Sequence, residues 1–297
     1  MNIFRIQHVN MFSVISYNVF FGPSDSDEKR FISIIDFLVK GNYDIIMLQE
    51  VTALFLDCAR ACLDSEEYIY DIDAIERIHE NGYGSLILVK TRVCTKLIFF
   101  INTLPSMMGR ALICAVVDGI TFISTHLEST FKFQHMRTRQ LKYLCSNFEQ
   151  RRVVVGMDSN FSGELPLTQG FKDVWEGKRI HTWFGQRYSN TNRRYGYDRF
   201  VTNEKVIVAK DGVIDLPYSD HNPIVCTIYH KYDVDEKGYT LLTFKDPQTI
   251  RCDICENFVF GTHFQCKLCK RIFCTKGSCT KDFCFSTSVC LNCIKNM

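Results

Sequence analysis

Short apolar runs, broken by turn residues and charges, dominate the first 231 positions. FSVISYN (12–18) reads as a strand. Over 27–40, Phe31, Ile34, Ile35, Leu38 and Val39 recur at helical spacing and Gly41 closes the segment, which predicts an amphipathic helix. YDIIMLQ (43–49) suits a buried strand and VTALFLDCARACL (51–63) a helix. GSLILVK, KLIFFI, ALICAVVD and ITFISTH supply four more strands between 84 and 126. A helix over about 132–148 precedes the strand RVVVGMD (152–158), and YDRFV (197–201), KVIVA (205–209) and PIVCTIY (223–229) complete the set.

Many strands with few helices between them predict an α/β fold, with sheets inside and helices outside. The stretch 232–250 mixes Asp, Glu, Lys, Gly and Pro, breaks the pattern and reads as a linker. The expected organisation is therefore a first domain over 1–231, that linker, and a cysteine-rich module over 251–297. Lys and Arg number 35 against 33 Asp and Glu, which excludes a polycation that coats nucleic acid in bulk and leaves room for a local basic groove. No apolar run reaches membrane-spanning length, so no membrane partner is expected. Asn18 interrupts the apolar N-terminal stretch and no small-residue cleavage site follows, so a strand is expected there and not a signal peptide. Six cysteines are scattered over the first 251 residues in the manner of reduced thiols. The expected residence is intracellular, in nucleus or cytoplasm, rather than secreted.

Polar residues then stand where strands run into loops: Asn18 in SYN, Glu50 in LQE, His126 in STHLEST, Asp158 and Asn160 in GMDSN, Asp198 in YDRF, and Asp220 and His221 in SDHNP. Such positions are held rigidly yet face a cleft. The chemistry they suggest is metal-assisted hydrolysis of a phosphate ester. Glu50 offers a hard oxygen ligand for Mg²⁺, with Mn²⁺ as the alternative, helped by Asn18. Asp158 orients and deprotonates a water; Asn160 and His221 donate to the developing phosphorane charge. Asp198 or Asp220 holds the His221 ring charged. Taken singly, each of these residues reads equally well as a cap, a turn former or a satisfied buried polar group. Taken as an ordered set, they do not.

That ordered set resembles the endonuclease/exonuclease/phosphatase superfamily over roughly residues 10–230. STHLEST, a helix with RQLK, then GMDSN, DVWE, HTWF, YDRF and SDH resemble its 5′-tyrosyl-DNA phosphodiesterase branch more narrowly. Where that branch has GDTN, this chain has GMDSN, so Met157 stands between Gly156 and Asp158. The spacing of two between Asp158 and Asn160 is kept, and on an extended segment it would put both on one side. The resemblance implies a four-layer α/β sandwich of two packed mixed sheets flanked by helices. It further implies a Mg²⁺-dependent phosphodiesterase that removes a tyrosyl adduct from a DNA 5′ end, with single-stranded DNA ends as partner. A general nuclease or abasic-site endonuclease of the same superfamily, and an inactive catalytic domain serving as a scaffold, are the alternatives.

Residues 178–199 hold Lys178, Arg179, Arg187, Arg193, Arg194 and Arg199 against the single acid Asp198, interleaved with Trp183, Phe184, Tyr188, Tyr195 and Tyr197. Basic groups neutralise phosphates and aromatic faces stack on unpaired bases, so Trp183, Arg187, Arg193, Arg194 and Tyr195 are candidate substrate contacts. A solvated loop with ordinary aromatics is the competing reading. Arg137, Arg139 and Lys142 on the helix after His126 give a weaker signal, since one helix face can carry them merely for solubility.

Nine cysteines fall between Cys252 and Cys293, three pairs of them spaced CxxC. A two-residue gap lets both thiolates meet one tetrahedral Zn²⁺, and so short a module needs metal to fold. The expected cross-brace puts Cys252, Cys255, Cys274 and Cys279 on one ion and Cys266, Cys269, Cys290 and Cys293 on the other. Cys284 and His263 are left over, and either can stand in for Cys279. CKLCKRIFC…VCLNC resembles FYVE/RING-like treble-clef zinc fingers. Residues 251–297 are formally +4, and eight thiolates with two Zn²⁺ bring them near neutral, so a protein partner is expected there at least as much as DNA.

Overall fold

The structure is a computed structural model that describes residues 9–22, 27–62, 67–93, 97–168, 170–175, 180–187, 191–203 and 206–231, and eight two-residue strands beyond them. Its elements run β1 (Val9–Asn18), α1 (Asp27–Gly41), β2 (Ile45–Thr52), α2 (Ala53–Cys62), β3 (Tyr68–Tyr70), α3 (Ile72–Asn81), β4 (Tyr83–Lys90), β5 (Leu97–Thr103), β6 (Ala111–Val117) and β7 (Ile120–His126). They continue α4 (Gln134–Phe148), β8 (Arg152–Asp158), β9 (Phe171–Asp173), β10 (Trp183–Phe184), β11 (Arg194–Tyr195), β12 (Asp198–Asn203), β13 (Ile207–Val213) and β14 (Ile224–Lys231).

Two six-stranded mixed sheets result, ordered β13-β14-β1-β2-β4-β3 and β5-β6-β7-β8-β12-β9. Each contains one parallel pair, β1/β2 and β7/β8, and all its other pairings are antiparallel. A parallel pair needs a crossover, and α1 and α4 provide the two. This is the α/β fold of two mixed sheets flanked by helices that the sequence implies. The core between the sheets includes Phe12, Val14, Met47, Phe122 and Val154. A second cluster, with Leu112, Ile123, Leu141, Leu144, Phe148 and Val155, lies under α4.

Local sequence explains the elements. In α1, Phe31, Ile34, Ile35 and Leu38 are buried on one face, with Asp27 and Glu28 in the first turn and Lys40 in the last, as the helix dipole favours. Helix α3 was not anticipated, yet its signals are present. Asp71 caps it by accepting from the Asp73 amide at 3.0 Å, Ala74, Ile75 and Ile78 are buried, and Gly82 closes it at φ 81°. The expected helix over 51–63 begins only at Ala53, because β2 runs on to Thr52 through a bulge between Leu48 and Val51.

Polar groups stitch the sheets together beneath the strand ends. Gln49 Nε2 donates to Ser16 Oγ at 3.2 Å and Ser124 Oγ at 3.0 Å, and Ser124 Oγ donates to the Leu48 carbonyl at 2.9 Å. Gly156 on β8 makes this approach possible. A Cβ there would sit 2.5 Å from Met47 Sδ and 2.7 Å from Ser16 Cβ, both on the facing sheet. Gly156→Ala is therefore expected to lower stability by about 1–3 kcal/mol through overpacking. A urea titration should show a lower midpoint at unchanged slope.

Ile6–Lys231 form one compact unit, and residues from Tyr232 onward belong to a second. The stretch expected as a linker contains β15 (Asp233–Val234) paired with β16 (Thr240–Leu241), a ladder too short to leave a pattern. Further two-residue ladders join β17 (Ile250–Arg251) to β18 (Phe258–Val259), β19 (Phe264–Gln265) to β20 (Ile272–Phe273), and β21 (Phe283–Cys284) to β22 (Val289–Cys290). The side chains of Cys252, Cys255, Cys266, Cys269, Cys274, Cys279, Cys290 and Cys293, like those of Cys284 and His263, lie outside the described residues. Lys178, Arg179 and Tyr188 do so as well.

Candidate active site

Strand direction gathers the polar residues at one end of the two sheets. Parallel β1 and β2 finish at Asn18 and just past Glu50, and parallel β7 and β8 finish together at His126 and Asp158, which are register partners. The carboxyl ends of parallel strands are where α/β sheets present ligand sites. Antiparallel strands reach the same end from their starts. Asp198 opens β12 opposite Asp158, and Asp220 and His221 come just before β14, which pairs with β1. All of these residues are buried, at 9 % exposure or less.

Glu50 sits in the β2 bulge with φ 58°, a left-handed conformation costly for this residue type. The bulge re-aims its carboxylate into the site. Its Oε1 accepts from Asn18 Nδ2 at 3.1 Å and its Oε2 from the Phe21 amide at 3.1 Å. Burial pushes the Glu50 carboxyl up, while His221, the Asn18 amide and the Phe21 N–H work against that rise. Asn18 Nδ2 also donates to Asp158 Oδ2 at 2.9 Å, and its Oδ1 is held by the Phe20 amide at 3.0 Å. Asn18 is thus a bridge between the carboxylates of the two sheets.

His221 Nδ1 donates to Asp198 Oδ2 at 2.7 Å. Burial pulls its imidazole down, but Asp198, Asp220 and Asp158 outweigh burial and hold it well above 6.5. At neutral pH both ring nitrogens therefore carry protons, and Nε2, 3.6 Å from Asp158 Oδ2, is a donor. His126 is the opposite case. Burial, then the neighbouring Arg110, push it down to about 3. Arg110 Nη1 lies 3.2 Å from His126 Nδ1 and can only donate, so the neutral ring carries its proton on Nε2. That proton faces Asp158 Oδ2 at 3.4 Å.

Asp158 and Asn160 do share a side, but not by strand alternation. Strand β8 ends at Asp158, and Asn160 adopts φ 53° beyond it, its amide donating to Asp158 Oδ1 at 3.0 Å. This local turn, which asparagine tolerates well, brings the two side chains together. Asp220 Oδ2 accepts from Trp183 Nε1 at 2.8 Å, and Ser219 Oγ donates to the Asn18 carbonyl at 2.7 Å.

The aromatic and basic residues divide. Trp183, half-buried, stacks with Tyr195 at 5.7 Å and lies 5.6 Å from Tyr197 beside the polar cluster. Arg193 and Arg194 are exposed on the β10–β11 hairpin side. Arg187 turns inward: its Nη1 donates to the Leu216 and Ser219 carbonyls and to Asn222 Oδ1, and its Nη2 pairs with Asp215 at 2.7 Å. It braces the loop that carries Asp220 and His221. Arg199 pairs with Asp173 at 3.0 Å and is likewise committed.

Three residues at the site were not anticipated. Arg110 is the only charged residue between Leu97 and Val117, a signal that was there to be read. Glu128, fully buried, accepts from Ser106 Oγ at 2.6 Å and from the Met107 and Met108 amides, pinning the loop that leads to Arg110. Arg30 donates to the Val19, Phe20 and Tyr218 carbonyls and ties two active-site loops to α1. Beside His126 opens a cleft of about 170 Å³ lined in part by Tyr83, Met108 and Arg110.

The donor set fits a divalent cation on one side only. Ligand atoms of Glu50, His126 and Asp158 lie within 4.8 Å of one another, as do those of Asp158, Asp198 and His221. The second group contains a protonated imidazole, which cannot ligate. The first offers two carboxylates, while the His126 ring has its Nδ1 lone pair on Arg110 and its proton on Nε2; a cation held by the two carboxylates would offset the desolvation of Glu50.

The model of the Endonuclease/Exonuclease/phosphatase family matches residues 15–221. Among curated proteins none matches. Solved structures do. Truncated Caenorhabditis elegans TDP2 is 22 % identical, with a TM-score of 0.59 over 74 % of this chain and 98 % of that one. D. rerio TDP2 complexed with single strand DNA product is also 22 % identical, with a TM-score of 0.59 over 73 % and 98 %. The human Nocturnin catalytic domain with bound sulfate is 14 % identical, with a TM-score of 0.55 over 76 % and 97 %. At these identities the likeness is one of fold.

Proposed function

We propose that this chain, which belongs to the endonuclease/exonuclease/phosphatase family, is a divalent-metal-dependent phosphodiesterase that hydrolyses the 5′-phosphotyrosyl bond between a protein tyrosine and a DNA end. The observation that carries the reading is the buried cluster of Glu50, Asp158, Asp198 and His221, with the half-buried Asn160 beside it, assembled from the ends of both sheets. The motif resemblance to 5′-tyrosyl-DNA phosphodiesterases and the fold shared with D. rerio TDP2, solved with a single strand DNA product, support the substrate.

Glu50, with Asn18 beside it, would hold Mg²⁺ or Mn²⁺, which when bound neutralises charge on the phosphoryl and leaving oxygens. The chain's own groups do the rest. Asp158, locked by Asn18 and the Asn160 amide, accepts a proton from the attacking water. The His221 imidazolium, oriented by Asp198, donates from Nε2 to the phosphoryl oxygens. Asn160 adds a second donor. A phenol is a far better leaving group than a sugar alkoxide, with a pKa near ~10, so the departing oxygen needs little protonation. An abasic-site endonuclease must also hold a kinked duplex, which calls for wedge residues on long loops. The half-buried Trp183 and exposed Arg193 and Arg194 suit an unpaired 5′ end instead. Single-turnover rates on 5′-tyrosyl single-stranded DNA and on an abasic duplex of equal length test this. The tyrosyl substrate should react far faster; equal rates or the reverse order would support the general nuclease.

Glu50→Gln removes a charged ligand at constant volume. It should raise the Mg²⁺ concentration for half-maximal rate at least about tenfold, with the circular dichroism spectrum unchanged. A wild-type Mg²⁺ titration curve would show that Glu50 is not the ligand.

For the second unit, the CxxC spacing supports two structural Zn²⁺ ions and a role as a protein-binding module, and the scattered cysteines support an intracellular, reducing location. Elemental analysis of the full chain should return two zinc ions; one ion would contradict the cross-brace.

A further inference from the structure

Away from the catalytic cluster, a groove of about 560 Å³ runs between the end of β5 and α4, lined by Thr103, Leu104, Pro105, Arg139, Lys142 and Tyr143. We propose that this groove is a second nucleic-acid subsite, which takes the single strand after it leaves the active site and holds its phosphates on Arg139 and Lys142. The proposal rests on the phosphodiesterase reading above and extends it to how far along the strand recognition reaches.

Charge comes first. Residues 129–148 contain Lys132, Arg137, Arg139 and Lys142 and no Asp or Glu, in a chain whose charges otherwise nearly balance. Arg137 is withdrawn from this set, because its Nη1 donates to the Glu128 and Thr130 carbonyls at 3.1 and 2.7 Å. Lys132, before α4, lies over the Phe133 ring at 4.9 Å; Arg139 and Lys142 are exposed and three residues apart on one face of α4. No acid lines the groove. Among the described residues neither basic group pairs with a carboxylate.

The floor is apolar. Leu104, Pro105 and the half-buried ring of Tyr143 offer a surface on which an unpaired base can stack, which a duplex would not present.

Continuity with the active site is the third point. The Leu104 amide donates to the Arg110 carbonyl at 3.2 Å, and Arg110 contacts His126. Gln140, between Arg139 and Leu141, donates to the Pro105 carbonyl at 3.0 Å and accepts from the Glu128 amide at 3.0 Å. Groove and site therefore share one pinned wall, residues 104–110.

The test uses the full chain and the double variant Arg139→Gln/Lys142→Gln. Fluorescence anisotropy measures binding of oligothymidylates of about 4 and about 15 nucleotides, the span of single-strand site sizes, over a salt series. Two lost phosphate contacts should lower the salt slope for the longer strand by about 1.4, at ~0.7 per phosphate. The short strand should bind both proteins alike, and its 5′-tyrosyl form should be cleaved alike. An unchanged slope on the long strand, or an equal loss on both lengths, overturns the groove while leaving the phosphodiesterase reading intact. A wild-type protein that binds neither strand overturns both. Loss of binding to an acidic peptide of polyglutamate, with the oligonucleotide slope unchanged, assigns the groove to a protein partner and overturns the proposal.

Discussion

Asp158→Asn lowers kcat by about 10²–10⁴ with little change in KM, the scale of a lost general base. The substitution keeps size and shape, and its single amide oxygen can keep the bond from the Asn160 amide while the NH2 takes the place of the oxygen that Asn18 Nδ2 meets, so the fold should stand at the loss of one hydrogen bond. What is lost is a basic oxygen at the point where Asn18, His126 and His221 converge. The carboxylate can take a proton from water and the amide cannot. Pre-steady-state kinetics on the 5′-tyrosyl strand separate the two outcomes. A loss confined to KM would make Asp158 a substrate contact and remove it from the chemistry.

His221→Gln should cost about 10²–10³ in kcat, as loss of one preorganised donor to a developing oxyanion does. Its pH dependence carries a definite sign. Asp198, Asp220 and Asp158 overcome burial and hold the imidazole well above 6.5, so the donor is charged at neutral pH. Wild-type kcat should fall as pH rises through that raised value, and the variant should lack this limb. Stability follows the same direction. A folded pKa above the unfolded value near ~6.5 stabilises the chain fully below that value, and the contribution is lost as pH rises through the folded one. A kcat profile falling on the acid side of pH 6.5, through His221, would contradict the assignment.

Much of the site was legible because strand ends leave a clear mark. SYN, LQE, STH, GMD and SDH each pair an apolar run with an abrupt polar residue, and the two parallel pairs bring Glu50, His126 and Asp158 to one end. What the pattern lacked was anything below its own length. Strands β3, β9, β10 and β11 span two or three residues, too few for a period of two to appear. The β2 bulge was hidden too, since one extra residue in an apolar run does not alter the run, yet it aims Glu50. Helix α3 went unassigned although Asp71 and Gly82 bracket it, because charged residues interrupt its few apolar positions. Arg187 illustrates the limit of composition. In the sequence it is one of six basic residues in a stretch that suggests phosphate binding; in the fold it holds loop carbonyls around His221.

The most direct test of the account is to incubate purified full-length protein with a 5′-tyrosyl single-stranded oligonucleotide, with Mg²⁺ and with chelator, and to identify the products by mass spectrometry. Attack of water on phosphorus at the cluster of Glu50, Asp158 and His221 predicts free tyrosine and an intact 5′-phosphorylated strand, formed only with the metal. Strand fragments that still carry the tyrosine would contradict it.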